Sequence, residues 1–414
     1  MKVFKFGGAS VRHAAAIRKV ASIIKLYGHD RILVVVSAMG KTTNALERVV
    51  SLFRQGKDHR QELADIQAHH HNVLRELFSD GHLVWERVNF EFAELERKLE
   101  RSMDADKLYD QIVSIGEILS SIVVSEFLST QDLQVRWVDS RNYIATDQTF
   151  REGKVDWNVA EKNVQALKPI LDTQLIVTQG FIGRTADGFT TTLGREGSDY
   201  TAAIYASCLG AESVTIWKDV PGVMNADPKR FPEATVFEEL PFREAAEMTY
   251  YGASVIHPKT IKPLANRNIP LLVKNFDDPS LPGTVIRETK MDHIPPLIVV
   301  KENQCLVSCR VTDYTFIDEQ QLGYIFQAMA ALNIRINVMQ NSAISFSFCI
   351  DFREDKVMAL IEKLGSNFEV YYNTGLTLFT IKNYNDALFE KYRKMPGVLL
   401  EQSSRSTLQI LVKN

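Results

Sequence analysis

Four cysteines in 414 residues are too few to staple a chain of this length, so a disulfide scaffold is excluded. Cys208, Cys305, Cys309 and Cys349 lie mostly inside apolar runs. Cys305 and Cys309 lack a second pair at metal-site spacing, so all four read as core thiols of a reducing compartment. An excess of either charge is also missing: 48 Lys and Arg against 51 Asp and Glu give a net charge of −3. That removes any general electrostatic case for nucleic acid or an anionic membrane as partner. No uninterrupted apolar run spans a bilayer, and no basic-then-apolar leader precedes the first strand, so a cytoplasmic protein is expected. His69, His70 and His71 are consecutive and point to different faces of a helix, which argues against a shared metal and for a solvated stretch. No metal site is expected.

A length of 414 residues implies two or three domains, and 45% hydrophobic with 24% charged residues fits a globular chain. The most informative stretch is Thr190 to Ala203. It follows an apolar strand, Leu175–Ile182, and runs into an apolar helical pattern. Gly194 and Gly197 let backbone approach a charged ligand, Arg195 offers a planar fork, and Ser198 and Asp199 stand where helix amides are free. A second such place is the start of the chain, where strand Lys2–Phe6 ends in Gly7 and Gly8 ahead of a helix, with Lys5 beside them. Strand Arg31–Val36 ends in Ser37-Ala-Met-Gly-Lys-Thr-Thr43. The Gly40-Lys41-Thr42 run is not a P-loop, because Val35 stands where that motif needs glycine; Ser37 and Thr43 remain candidate substrate contacts. Helices occupy residues 42–99 and Leu108–Leu128. Glu117 falls inside the apolar pattern of the second, either at the helix surface or buried for function, and burial would need a partner such as an ammonium group. Strand Ser213–Trp217 leads into a polar loop, residues 218–228, suited to a lid or a nucleotide-base pocket. Strands alternate with helices to about Thr284. This predicts an α/β fold, a mostly parallel sheet sandwiched by helices, with ligands at the strands' carboxyl ends.

Residues 288–296 read as a linker. Beyond them the order is β-α-β-β-α-β, a ferredoxin-like pattern, followed by a shorter copy from Leu376 that lacks a last helix and strand. We expect Leu297–Val300 to complete that copy's sheet beside Leu376–Ile381 or Thr407–Val412. The boundaries are 1–288, 297–374 and 375–414.

The motifs Lys5-Phe-Gly-Gly8 with Ser10-Val11, Ser37-Ala-Met-Gly40, Gly116-Glu117, Val177-Thr-Gln-Gly-Phe181, Leu193-Gly-Arg-Glu-Gly-Ser-Asp-Tyr200, Trp217-Lys-Asp-Val-Pro-Gly222 and Gly252 with His257-Pro258 resemble, in order, those of the aspartate kinases of the amino-acid kinase superfamily. The resemblance covers essentially the whole chain. It implies transfer of the γ-phosphoryl of ATP to L-aspartate, the first step towards lysine, threonine and methionine, and a tail of two ACT regulatory domains. It further implies roles by position. Lys5 neutralises the transferred phosphoryl group, while Gly7, Gly8 and Ser10 cradle phosphates. Arg195 clamps the α-carboxylate, Glu117 pairs with the ammonium, and Thr43 and Ser198 add hydrogen bonds. Asp199 orients the site and holds Lys5 or the shell of a Mg²⁺ carried by ATP. Lys218, Asp219, Met224 and Lys229 line the nucleotide side. A homodimer or homotetramer is implied as well.

The chain departs from the family at Ala9, where a threonine is usual, and at Ser254, where many members carry Lys or Gln. Gln320 stands where the first ACT repeat usually has glycine, in an acidic, bulky segment, Thr315–Gln321. Asn337 does match the effector-facing position, so lysine or threonine is the expected effector class. Two rival readings are a kinase for another amino acid and an amino-acid sensor without turnover. Arg195 with Glu117 favours a zwitterionic substrate over the first, and the presence of Lys5, Asp199 and Arg195 speaks against the second.

Overall fold

The computed structural model describes residues 1–28, 31–252, 256–291, 294–312 and 315–413. Ser254 lies outside the described residues. The chain divides into two compact units: residues 1–223, 236–246 and 254–290 form the first, and 224–235, 247–253 and 291–414 the second.

The first unit is built on an eight-stranded sheet. In spatial order its strands are Val135–Trp137, Leu175–Gln179, Ile32–Val36, Lys2–Phe6, Ser213–Lys218, Leu271–Asn275, Thr284–Arg287 and Glu239–Pro241. All neighbours run parallel except Thr284–Arg287, which is antiparallel to Leu271–Asn275. Strand Ile32–Val36 is buried at every position, which is why its sequence is continuously apolar rather than alternating. Helix Gly197–Leu209 is also buried nearly all round; its alanines 202, 203 and 206 let it lie close to its neighbours. Phe6 stacks on Trp217 with centroids 6.1 Å apart, and Phe4 meets the same ring edge-on at 5.9 Å.

Three sequence expectations change here. The expected helix Leu108–Leu128 is two helices, Ala105–Val113 and Ile115–Ser129, parted at Ser114. Together they are long and apolar enough to cross a membrane, yet 89% of the apolar window is buried inside the protein. Strand Leu175–Ile182 stops at Gln179. Phe181 takes a left-handed backbone (φ +71°), and a separate hairpin follows, Ile182–Arg184 against Thr190–Thr192. The histidine run is not uniformly solvated. His70 is fully buried, with Nδ1 2.8 Å from the Ile66 carbonyl oxygen, because it falls on the same helix face as Leu63, Ile66, Val73 and Leu74.

The second unit carries a six-stranded antiparallel sheet in the order Ile336–Asn341, Ser345–Asp351, Leu297–Arg310, Glu369–Lys382, Thr407–Lys413, Val398–Ser403. Its two central strands are 14 residues long each. Leu297–Val300 pairs with Phe379–Lys382, as expected, and the same strand continues into the first repeat. The stretches Phe368–Tyr372 and Leu376–Ile381, expected as two strands, are one. The bulky segment before helix Glu319–Ala331 has a local purpose. Asp318 accepts from Gln321 N–H at 2.8 Å, and the Gln321 side chain accepts from Asp318 N–H at 3.0 Å, a capping box. Residues 224–235 join this unit through Ile298 N–H, which donates to the Asn225 carbonyl at 2.8 Å, and 247–253 through the Glu247–Lys382 ion pair.

Candidate active site

The chemistry gathers at the carboxyl ends of four adjacent parallel strands. Lys5 is the penultimate residue of the first, and Ser37 immediately follows the second. Gly180 and Phe181 follow Leu175–Gln179, and Lys218 closes Ser213–Lys218. Parallel register sets these ends side by side, with Lys5 opposite both Val35 and Ile216. Gly8 is forced by packing: a Cβ there would lie 2.8 Å from the Ala38 carbonyl oxygen and 2.9 Å from that of Gly40. Only glycine lets the two phosphate-style turns touch.

Between these ends lies a cavity of about 650 Å³, lined among others by Lys5, Gly8, Ser37, Thr43, Glu117, Arg195, Ser198 and Asp199. Eight residues singled out from the sequence thus converge. Lys5 Nζ is 2.6 Å from Asp199 Oδ1, and Lys218 Nζ is 3.4 Å from Asp199 Oδ2 and 3.6 Å from Glu196 Oε2. Asp199 is in the first turn of helix Gly197–Leu209. Burial pushes its carboxyl up, but the ammonium groups of Lys5 and Lys218 more than reverse this and hold it at about 2. Glu117 behaves oppositely. Burial pushes its carboxyl up to about 8, with only partial offset from backbone N–H groups including that of Ala38, from the Thr43 hydroxyl and from Lys5. Ala38 N–H donates to Oε1 at 3.4 Å, and Oε2 has no hydrogen-bond partner among the described residues. A buried carboxyl with one open oxygen, facing a cavity that also holds a guanidinium and an ammonium, suits a ligand bearing both signs of charge.

Gly7 sits beside Lys5, where an added Cβ would be 3.4 Å from Nζ. Ser10 and Asp219, expected on the nucleotide side, line a different cavity of about 200 Å³, together with Arg12, Lys19 and Phe276. Met224 and Lys229 belong to the segment grouped with the second unit and are not among the lining residues of either cavity. Sequence reasoning missed Glu47, Tyr109, Arg151, Glu152, Phe181 and Glu196, all of which line the main cavity. One signal was available for the last: Glu196 stands between Arg195 and Gly197 in the same turn. In the second unit Asn337 is engaged by its own sheet. Its Oδ1 accepts from Lys301 Nζ at 2.8 Å, and its Nδ2 donates to Gln304 at 2.7 Å and Asp351 at 2.9 Å.

A helix-covered parallel sheet thus gathers lysines, a helix N-terminus and a pocket suited to a small zwitterion at its carboxyl edge. Residues 1–275 match the Amino acid kinase family, and the chain belongs to that family. Among its relatives, it is 33% identical to Lysine-sensitive aspartokinase 3 of Escherichia coli (strain K12) over 355 residues, 84% of this chain and 78% of that protein. It is also 33% identical to Aspartokinase 1, chloroplastic, of Arabidopsis thaliana over 371 residues, 84% of this chain and 63% of that one. The crystal structure of E. coli aspartokinase III in complex with aspartate and ADP (R-state) superposes with a TM-score of 0.85 at 28% identity, covering 100% of this chain and 96% of that one.

Proposed function

We propose that this chain transfers the γ-phosphoryl group of ATP to the side-chain carboxylate of L-aspartate, giving 4-phospho-L-aspartate and ADP. The observation that carries the reading is Glu117, a buried carboxyl with an open oxygen in the same cavity as Arg195 and Lys5. The substrate ammonium meets Glu117, which ionises as it pairs; the α-carboxylate meets Arg195; Ser37, Thr43 and Ser198 supply hydrogen bonds. A side-chain carboxylate is already ionised at neutral pH, so it attacks phosphorus without a general base. One of its oxygens forms the new P–O bond as the bond to the ADP oxygen breaks, and the electron pair leaves with ADP.

Lys5, beside Asp199, offsets charge on the transferred group. The turns at Gly7 and Gly8 and the amides opening helix Gly197–Leu209 add donors. Asp199, ionised far below neutrality, holds Lys5 and Lys218 in place. Ser10 and Asp219 complete the nucleotide side in this reading. Among the described residues no three His, Cys, Asp or Glu side chains converge as a metal site, and Mg²⁺ enters with ATP as part of that substrate.

We assign residues 1–288 to catalysis, and 297–374 and 375–414 to two ACT repeats that share one sheet. The lysine-sensitive relative makes lysine the first effector to test, ahead of threonine. An effector reaching Asn337 has to displace the Lys301 ammonium. A homodimer or homotetramer is the expected assembly, through the sheet's outer strands Ile336–Asn341 and Val398–Ser403. Trapping the acyl phosphate with hydroxylamine tests the function. ATP-dependent hydroxamate from aspartate, and far less from glutamate or N-acetylglutamate, is the expected result; none from aspartate refutes it.

A further inference from the structure

One wall of the main cavity is left unused by these roles. Glu47, Tyr109, Arg151 and Glu152 line it. The Tyr109 hydroxyl donates to Glu47 Oε1 at 2.5 Å. The Arg151 guanidinium lies 4.1 Å from the centroid of the Tyr109 ring, with Nη1 3.4 Å from Asp106. The backbone of Arg151 is left-handed, φ +68°. Among the described residues, the non-glycine positions with positive φ are Asp132, Asn268, Asn303, Asn333 and Asn383, residue types that tolerate it, and Arg151, Phe181 and Glu196, which do not. All three of the latter line this one cavity. Strain of this kind persists only where surrounding bonds hold it.

What holds Arg151 is Asp110, the residue after Tyr109. It is fully buried and lies behind the lining. Its Oδ2 accepts from the backbone N–H of Arg151 and of Thr192, both at 2.9 Å, and its Oδ1 accepts from the Thr192 hydroxyl at 2.7 Å. The two segments it joins are laced again by Gly153 N–H, which donates to the Thr192 carbonyl at 2.8 Å. They touch once more at Gly194, where a Cβ would lie 3.3 Å from Glu152 Cγ and 3.4 Å from the Arg151 carbonyl oxygen. Arg195 follows directly. An ionised carboxylate is suited to this position because it accepts several hydrogen bonds and offers no competing proton.

We propose that Asp110 is a positioning residue for recognition of the acidic substrate. By tying Arg151 to Thr192 behind the cavity wall, it presents the Arg151 guanidinium, alongside Arg195, to the carboxylates of a dicarboxylic amino acid. Tyr109 braces the guanidinium from the side. This rests on reading the cavity as the aspartate site. The nucleotide does not need this wall, so the effect falls on the amino acid.

Steady-state kinetics in both substrates tests it. Losing hydrogen bonds to a charged group is worth roughly 10- to 100-fold, so Asp110→Ala raises the KM for aspartate by about that factor, with the KM for ATP within about twofold. Arg151→Met raises the aspartate KM similarly, and the double variant is no worse than the poorer single one. Asp110→Asn restores aspartate KM to within about threefold of wild type, since one oxygen can take both N–H groups while its amide donates to the Thr192 hydroxyl. Thr192→Val, which removes one bond at nearly constant shape, raises aspartate KM about 3- to 10-fold and serves if Asp110→Ala does not fold. An unchanged aspartate KM in Arg151→Met or Thr192→Val overturns the proposal. So does an equal loss in both substrates without rescue by asparagine. A wild-type protein that phosphorylates no aspartate overturns the reading of the site instead.

Discussion

Lys5 and Asp199, 194 positions apart, form a buried ion pair at 2.6 Å, with side chains 9% and 1% exposed. The strand end supplies one partner and the opposing helix N-terminus the other. Lys218 approaches the second carboxylate oxygen at 3.4 Å. One anion thus sits between two cations in a place that hydrates none of them well, and the two ammonium groups hold it ionised.

Removing that anion takes the buried carboxylate away from Lys5 and leaves Lys218 facing Glu196. Asp199→Ala is expected to lose roughly 3–5 kcal/mol of stability, read by urea denaturation at pH 7. The sign of the pH dependence follows from the depressed carboxyl. Its stabilisation is fully present above the ordinary aspartate range near pH 4 and is lost as pH falls towards 2. The alanine variant lacks that acid-side decline.

Glu117 gives the opposite slope. With its carboxyl raised to about 8, the folded protein keeps a proton that the unfolded chain has released. Stability of the ligand-free protein therefore falls as pH rises from about 4.5 to 8. Glu117→Gln flattens that decline, a gain on the order of a few kcal/mol at pH 8. Calorimetry in buffers of different ionisation enthalpy supplies the functional counterpart. Aspartate binding at pH 7 releases about one proton per site in the wild type and none through this residue in the variant. Equal release from both would show that Glu117 does not meet the ammonium.

His70 makes a third titration. Burial pushes its imidazole down to about 4, Nε2 has no partner among the described residues, and the Phe92 ring is 5.7 Å away. The unfolded chain takes up a proton near pH 6.5 that the fold refuses, so stability drops between about pH 6.5 and 4. His70→Leu removes that drop, stabilising the protein by roughly 2–3 kcal/mol at pH 4. Thermal melts from pH 4 to 7 check it, and parallel curves for variant and wild type would contradict it.

Glu196 holds a left-handed backbone (φ +56°) at the start of helix Gly197–Leu209, with Lys218 3.6 Å away. Glu196→Gly relieves about 1 kcal/mol of strain while removing a carboxylate from the lysine pair. Melting temperature is expected to rise as kcat falls. A rise in both would separate the strain from the chemistry.

Much of this architecture was legible in the sequence, because burial writes itself plainly into uniform runs such as Ile32–Val36 and into helical spacing. Lys5, Ser37, Glu117, Arg195 and Asp199 could be joined in advance since each lies at, or faces, a strand's carboxyl end. What was hidden shares a physical cause. Asp110 reads as a polar face of an amphipathic helix, because its partners are backbone N–H groups of distant segments. Arg151 reads as a surface cation, because no composition signal marks a strained dihedral. Asn373-Thr-Gly375 looks like a turn yet lies within one long strand, Glu369–Lys382, held by pairing on both sides. Met224 and Lys229 follow the strand end in sequence, but their segment packs with the other unit.

The most direct test is turnover by Lys5→Ala. Hydroxamate formation from aspartate and ATP is measured at saturating concentrations of both, beside circular dichroism of the same sample. Loss of a cation that stabilises the transferred group predicts a fall in kcat of about 10²- to 10³-fold with native secondary structure retained. Turnover within about tenfold of wild type would contradict the assignment of phosphoryl-charge stabilisation to the Lys5–Asp199 pair.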